Sequence, residues 1–190
     1  MTPAKKSKAS ADTPTDAIAL LKADHRQVEE WFEQFEKAEG AERKQELATQ
    51  ICEALKVHAT IEEEIFYPAF LEATDDTDLH HEAEIEHDGA KKLIAEIEAL
   101  SADDEYFAPM VKVLSEMIKH HVKEEEQPKG MFSEARDSKM DLEALGEQLA
   151  ARKAELEGGE VGEDDGEDGD ETPTTRGKKS TTQPGRIMKA

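Results

Sequence analysis

Apolar residues recur every three or four positions in four successive stretches of the chain, which predicts four amphipathic helices. The first follows an N-cap at Thr15 or Asp16 and ends near Gly40. Pro68 is expected to kink or end the second helix, because a proline inside a helix removes a backbone hydrogen bond. The four predicted helices cover about residues 16–40, 42–70, 79–100 and 104–126.

A fifth pattern, of spaced leucines, lies in residues 136–157 and ends at Gly158 and Gly159. No stretch shows the alternation of a strand, so the chain is predicted to be all-α. Four helices joined by short turns are typical of an antiparallel up-down-up-down bundle, which we expect in residues 15–135, followed by the additional helix. Residues 1–14 and the acidic, then basic tail of residues 158–190 have no apolar period and are expected to be disordered.

The chain carries 46 Asp and Glu against 24 Lys and Arg, a formal net charge of −22. Such an anion repels nucleic-acid backbones and anionic membranes, so neither is an expected partner, whereas cations are attracted. The apolar runs are shorter than a membrane span and no signal-peptide core follows the first lysines, so a cytoplasmic location is expected. Cys52 stands alone, which excludes a disulfide framework or a cysteine zinc cluster and favours a small buried side chain.

Each of the four predicted bundle helices carries one histidine inside its apolar stripe. His25, for example, has helical spacing from both Leu21 and Val28. On the second and fourth helices, a glutamate follows the histidine four residues later and therefore faces the core as well. The six inward-facing polar residues are His25, His58, Glu62, His87, His121 and Glu125.

These six residues need a physical reason to be buried, because an unpaired carboxylate in a core costs several kcal/mol. Buried hydrogen bonds or His–Glu ion pairs would account for any one of them, but four histidines on four stripes favour a metal site. Each His-x-x-x-Glu pair can present a nitrogen and an oxygen to the same point. Imidazole with carboxylate suits iron, manganese or zinc, and carboxylates from two helices can bridge two ions in a bundle core.

Two registers compete on the fourth helix, because His120 and Glu124 have the same spacing as His121 and Glu125. We assign His121 and Glu125 to the core, since the positions upstream of them are the more aliphatic. Replacing His121 is therefore expected to deplete metal, and replacing His120 to do so only weakly. The upstream positions are Phe107, Val111, Leu114 and Ile118.

The same residues lie in recognisable motifs, which are Ala23-Asp24-His25-Arg26, His58-x-x-x-Glu62 before Phe66-Tyr67-Pro68, Glu86-His87, and His121-x-x-x-Glu125. Through them the chain resembles hemerythrin-like proteins of the HHE cation-binding group over about residues 15–135. The resemblance implies a four-helix bundle around two non-haem iron ions with bridging carboxylates. The ligand set that it implies is His25, His58, Glu62, His87, His121 and Glu125.

The chain departs from the oxygen-carrying hemerythrins at one position. Those proteins have a His-x-x-x-His pair on the third helix, whereas Ala83 stands four residues before His87 here. The departure argues against reversible oxygen carriage. Glu84, three residues before His87, could supply an extra carboxylate in the Glu-x-x-His pattern of other di-iron bundles.

Neighbouring polar and aromatic residues are expected to have lesser roles. His80 and His81 lie off the main stripe and are expected in solvent. Glu63 and Glu64 are expected on an exposed face. The alternative is that they support the metal ligands from outside without touching the metal. Packing rather than redox relay is expected of the aromatic residues Trp31, Tyr67 and Tyr106.

Open coordination positions on two irons would admit oxygen, peroxide or nitric oxide. The resemblance therefore predicts a protein that binds iron and such small ligands for sensing, storage or stress defence. An alternative is a di-iron enzyme that disproportionates peroxide or reduces nitric oxide. A third hypothesis is a structural metal, with the fifth helix and the tail binding a protein partner.

Overall fold

The computed structural model describes residues 16–159, and this part of the chain is entirely helical between its turns. Four long helices form the predicted bundle, which confirms the all-α fold class. No helix in these residues is both long enough and apolar enough to cross a membrane. The helices are α1 (Ala17–Lys37), α2 (Ala41–Ile61), α3 (Tyr67–Thr74), α4 (Thr77–Glu98), α5 (Phe107–Glu126), α6 (Met131–Asp137) and α7 (Leu142–Gly158).

Aspartate side chains cap the start of three helices. The Asp16 carboxylate accepts a hydrogen bond from the backbone N–H of Ala19 at 2.8 Å, as expected for the N-cap of α1. Asp76 caps α4 in the same way, and therefore α4 begins two residues before the predicted start at residue 79. Asp141 caps α7, whose N–H at Ala144 lies 3.1 Å from the carboxylate.

A π-helical turn, Glu62–Phe66, joins α2 to α3 and interrupts the second helix predicted over residues 42–70. Within this turn the N–H of Tyr67 bonds to the carbonyl of Glu62, five residues back instead of four. Pro68, which has no N–H to donate, follows as one of the first residues of α3. The break therefore precedes the proline, and it turns Tyr67 toward the same side of the helix as Glu62.

Two apolar clusters fill the bundle. The first joins the C-terminal half of α1 to α2, the end of α4 and most of α5, and includes Phe32, Ile51, Ile94 and Leu114. The second joins the start of α1 to the π turn and the last helices, and includes Leu21, Phe66, Phe132 and Leu149. Cys52 is buried in the first cluster, and burial raises the pKa of its thiol to about 12. The side chain therefore stays a neutral thiol, in agreement with the packing role expected of it.

Helices α6 and α7 pack against the bundle rather than standing apart from it. The short α6 was not predicted, because seven residues are too few for a helical period to be visible. Salt bridges fasten α7 to the bundle, from Lys153 to Asp24 at 2.5 Å and from Arg152 to Glu64 at 2.7 Å. The domain boundary expected at residue 135 falls inside α6.

Gly146 is where α7 crosses the beginning of α1. A β-carbon at Gly146 would lie 2.8 Å from the backbone nitrogen of Ala17 and 2.9 Å from the carbonyl carbon of Asp16. Main-chain atoms cannot rotate away, so α7 would have to shift outward.

We expect Gly146→Ala to lower the free energy of unfolding by about 1–3 kcal/mol, because the clash outweighs the gain in helix propensity. The matched control is Gly158→Ala in the same helix, where a β-carbon meets nothing within 4 Å. This control should be neutral or slightly stabilising. Urea denaturation followed by circular dichroism measures both, and equal stability of the two variants would contradict the packing described.

Candidate metal centre

All six residues predicted to be ligands come together between the two apolar clusters. Each of the four long helices supplies one histidine, and each imidazole is buried. The two glutamates are buried more deeply still, with Glu62 fully enclosed and Glu125 3% exposed. Residues four apart lie on one face of a helix, so His58 at the end of α2 and Glu62 at the start of the π turn both point inward, as do His121 and Glu125 of α5.

The histidines form two pairs, and each pair brings two Nε2 atoms together. The Nε2 atoms of His25 and His58 lie 3.1 Å apart, and those of His87 and His121 lie 3.2 Å apart. Two nitrogens that are each about 2.1 Å from one ion are about 3.0 Å apart at a right angle and about 3.4 Å apart at a tetrahedral angle. Each pair therefore has the spacing to ligate one cation.

Both glutamates lie between the two histidine pairs. Glu62 Oε2 is 3.2 Å from His58 Nε2 and 3.4 Å from His87 Nε2, so this oxygen approaches one member of each pair. Glu125 Oε2 is 3.4 Å from His25 Nε2 and 3.6 Å from His121 Nε2. Each carboxylate thus has one oxygen near a histidine of both pairs.

Three buried polar atoms of the centre have no hydrogen-bond partner, namely His58 Nδ1 and one oxygen of each glutamate. Glu62 Oε1 and Glu125 Oε2 are buried without a hydrogen bond. Leaving a carboxylate oxygen in this state costs more free energy when the group is charged than when it is neutral. A bound cation would satisfy both oxygens and the inward-facing nitrogens. The residues present therefore fit the metal that the sequence predicts.

Each histidine faces a carboxylate of a neighbouring helix or of the π turn through its Nδ1 atom, and three of these four contacts are hydrogen bonds. The Nδ1 atoms of His87 and His121 lie 2.8 Å from Glu63 and from Glu86, respectively. His25 Nδ1 lies 3.0 Å from Glu126. The last pair is longer, with His58 Nδ1 3.5 Å from the Asp24 carboxylate.

These four carboxylates form a closed ring around the bundle, which we call the carboxylate ring (Asp24, Glu63, Glu86 and Glu126). Each member is the sequence neighbour of one predicted ligand but faces a histidine of another helix. Asp24 of α1 faces α2, Glu63 of the π turn faces α4, Glu86 of α4 faces α5, and Glu126 of α5 faces α1. A carboxylate at Nδ1 holds the proton there and turns the Nε2 lone pair inward. At His25, His87 and His121 the ring thus favours the tautomer that a metal needs.

Three members of the carboxylate ring are held by outer cations. Lys153 binds Asp24, Lys91 binds Glu63 at 2.5 Å, and Lys22 and Arg26 bind Glu126. These salt bridges offset the negative charge that the ring adds around the centre. The outer partner of Glu86 within residues 16–159 is instead a histidine, His120, whose Nε2 lies 3.4 Å from Glu86 Oε1.

The two buried glutamates have opposite pKa shifts. Burial and the charge of Glu62 raise the pKa of Glu125 to about 8. Burial alone would also raise the pKa of Glu62, but the charge of His58 and the hydrogen bond with His87 lower it to about 2. Two carboxylates this close cannot both ionise easily without a cation, so the pair behaves as one coupled acid.

Tyr67 belongs to the centre, although packing was expected of it. Its hydroxyl lies 3.1 Å from His87 Nε2 and 3.2 Å from Glu125 Oε1, and it donates to the carboxylate in the second contact. Burial and the charges of Glu62 and Glu125 raise the pKa of Tyr67 well above its ordinary value, so the phenol keeps its proton. The signal that could have revealed this role is Pro68, which directly follows Tyr67 and indicates a change in the helical repeat after the inward-facing Glu62.

A small cavity of about 30 Å³ opens on one side of the four histidines. Its opposite wall is apolar and includes Val28, Ile94 and Ile118. A cavity of this size holds about one water-sized or diatomic molecule. The centre therefore has room for a small ligand and none for a sugar, nucleotide or peptide.

Other candidate residues lie outside the centre. The side chain of Glu84 is 53% exposed and faces His80 at 3.4 Å, so it does not join His87 in a Glu-x-x-His site. His81 is exposed as expected, whereas His80 is half-buried. The side chain of His120 is 60% exposed and that of His121 is 6% exposed, in agreement with the register assigned to α5.

Fold and site together define a helical bundle with a His/Glu centre for cations between its helices. The hemerythrin HHE cation-binding domain family matches residues 16–128, and the chain belongs to this family. In fold it is similar to the crystal structure of a hemerythrin HHE cation-binding domain-containing protein from Mycobacterium kansasii, with a TM-score of 0.64 and 23% identity over 75% of this chain and 88% of that one.

A curated protein also matches part of the sequence. The chain is 29% identical over 110 residues to a protein of Nostoc sp. named DNA nickase. The match covers 56% of this chain but only 30% of the Nostoc protein. It therefore extends over less than a third of that relative's length.

The assigned register of α5 leads to a direct test. We expect His121→Ala to lose bound metal, because it removes a buried nitrogen from the centre, and His120→Ala to retain metal after desalting. Metal analysis of the purified variants, with circular dichroism to establish folding, measures the difference. The opposite ranking would mean that α5 is turned by one residue.

The carboxylate ring is tested by two neighbouring glutamates. We expect Glu63→Ala to weaken metal binding by about ten- to a hundredfold, because His87 loses the partner of its Nδ1. Glu64→Ala is the matched control, since Glu64 pairs with Arg152 at the surface. Competition with a chelator of known affinity measures both, and equal effects would show that the ring does not act on the metal.

Proposed function

We propose that this protein holds two non-haem iron ions and binds a small ligand beside them. The observation that carries the proposal is Glu62 Oε2, which lies within 3.4 Å of one histidine from each of the two pairs. An oxygen in that position can be shared by two ions. The proposed ligands are His25, His58, Glu62, His87, His121 and Glu125.

The donor set supports iron. It consists of imidazoles and carboxylates and contains no thiolate, since Cys52 is the single cysteine and is buried elsewhere. Paired carboxylates between the helices of a bundle are the arrangement that di-iron proteins use. When bound, such an iron pair supplies open coordination positions and one-electron chemistry.

The chain's own residues control what reaches these positions. Carboxylates of the ring lie at Nδ1 of His25, His87 and His121 and favour an Nε2 lone pair that faces inward, and the Tyr67 hydroxyl donates to Glu125 at 3.2 Å. The Phe132 ring stacks on His25, with ring centroids 5.7 Å apart, and covers the centre from the side of α6. Bulk water is thus kept away, while the small cavity admits a molecule the size of oxygen or nitric oxide.

We therefore propose sensing, storage or stress defence involving iron and oxygen, peroxide or nitric oxide. We do not extend DNA nicking to this chain, because its net charge of −22 repels a polyanionic substrate and the match covers only 30% of the Nostoc protein. The alternative is a di-iron enzyme acting on peroxide or nitric oxide. Stopped-flow mixing of the reduced protein with each ligand distinguishes them, because an enzyme turns over many equivalents and a sensor or store binds a limited number.

Protein expressed in iron-replete cells is expected to contain about two irons per chain. The oxidised protein should show ultraviolet and near-visible charge-transfer absorption, and both His58→Ala and Glu62→Ala should lose it. The first variant removes a nitrogen that lies 3.1 Å from His25 Nε2, and the second removes an oxygen that approaches one histidine of each pair. Isolation with a single zinc ion, or with no metal, would refute the di-iron centre.

A further inference from the structure

The second His-x-x-x-Glu motif of α5 faces outward and meets α4 at the surface. His120 Nε2 lies 3.3 Å from Glu124 Oε1 and 3.4 Å from Glu86 Oε1. The other oxygen of Glu124 is buried without a hydrogen-bond partner. One nitrogen and two carboxylate oxygens thus lie within 4.8 Å of one another, close enough to share a cation. We call these three residues the outer cluster.

Glu86 connects the outer cluster to the proposed centre. One of its oxygens, Oε2, accepts from His121 Nδ1 at 2.8 Å, while Oε1 faces His120. A cation held by the outer cluster would therefore be separated from a proposed ligand by a single carboxylate.

A cavity of about 220 Å³ lies between α4 and α5 at this point. Glu86 and His120 line it together with His87 and His121, which are proposed ligands. Its volume is several times that of one water molecule. Residues of the outer cluster and of the proposed centre thus border the same space.

Charge distinguishes this side of the bundle from the other three. Lysine or arginine forms a salt bridge with each of Asp24, Glu63 and Glu126, so a cation that binds one of these carboxylates must displace that salt bridge. Within residues 16–159, Glu86 pairs instead with histidines, and the exposed His120 can itself ligate a metal. Of the four positions in the carboxylate ring, Glu86 therefore offers the least competition to an incoming cation.

We propose that Glu86, His120 and Glu124 form an uptake site, where a divalent cation such as Fe²⁺ binds weakly before it passes to the proposed centre. The role in uptake rests on the proposed function, whereas binding at the outer cluster is a property of the surface residues. Because its three ligands leave the ion open to solvent, the uptake site releases its cation readily, which a transfer step requires.

The first experiment measures how fast the metal-free, full-length chain takes up Fe²⁺ without oxygen. Samples are quenched with a coloured Fe²⁺ chelator at successive times. We expect His120→Ala and Glu124→Gln each to slow uptake about tenfold, the lower end of the effect of electrostatic focusing on association rates. The final iron content should equal that of the original protein. Glu86 is left intact, because changing it would also disturb His121.

The matched controls are His81→Ala and Glu84→Gln, which alter a second surface cluster of histidines and glutamate on α4. These variants remove the same charge and side-chain types and should take up iron at the original rate. Slower uptake in the controls, unchanged uptake in His120→Ala and Glu124→Gln, or a lower final iron content in these two would each overturn the proposal.

The second experiment counts Mn²⁺ bound by the iron-loaded chain, using the electron paramagnetic resonance signal of free Mn²⁺. The original protein and His81→Ala should bind one more Mn²⁺ than His120→Ala and Glu124→Gln. If the chain holds no iron at all, the proposed function fails, and the same titration of the protein as isolated still decides whether the outer cluster binds a cation. Equal Mn²⁺ binding by all variants would refute the uptake site.

Discussion

Two carboxylates buried side by side impose the arrangement of the rest of the molecule. Glu62 and Glu125 lie among four imidazoles in the middle of a bundle, where an uncompensated negative charge is least tolerated. Polar groups surround them in successive shells, first the imidazoles, then the carboxylate ring, and then the lysines and arginine that bind three members of the ring. Apolar clusters lie on either side of these shells and contribute the burial that holds the helices together.

The helices and the six inward-facing residues could be predicted because both depend on local periodicity. A residue four positions from an apolar neighbour shares its helix face wherever the helix packs. The helical pattern of the second stretch was therefore enough to predict that His58 and Glu62 face the core. The choice of His121 over His120 followed from the aliphatic residues one and two turns earlier. The family match over residues 16–128 and the all-helical fold agree with the bundle that this periodicity predicts.

Features that depend on contacts between helices could not be read from the same periodicity. The carboxylate ring pairs Asp24 with His58 and Glu126 with His25, and no spacing along the chain reveals such partners. Tyr67 joins the centre because a π turn adds one residue to the helical repeat before it. Glu84 has the spacing from His87 that a Glu-x-x-His site needs, but its side chain points outward from α4. The spacing alone therefore did not show whether Glu84 reaches the centre.

The contact of α7 with the bundle connects a helix beyond residue 128 to the proposed centre. The segment shared with the family ends at residue 128, yet Lys153 of α7 binds Asp24, whose carboxylate faces His58. A helix outside the shared segment therefore sets the charge around a residue at the proposed centre. A substitution confined to α7 can thus change the charge beside the His58 imidazole while every inward-facing side chain stays the same.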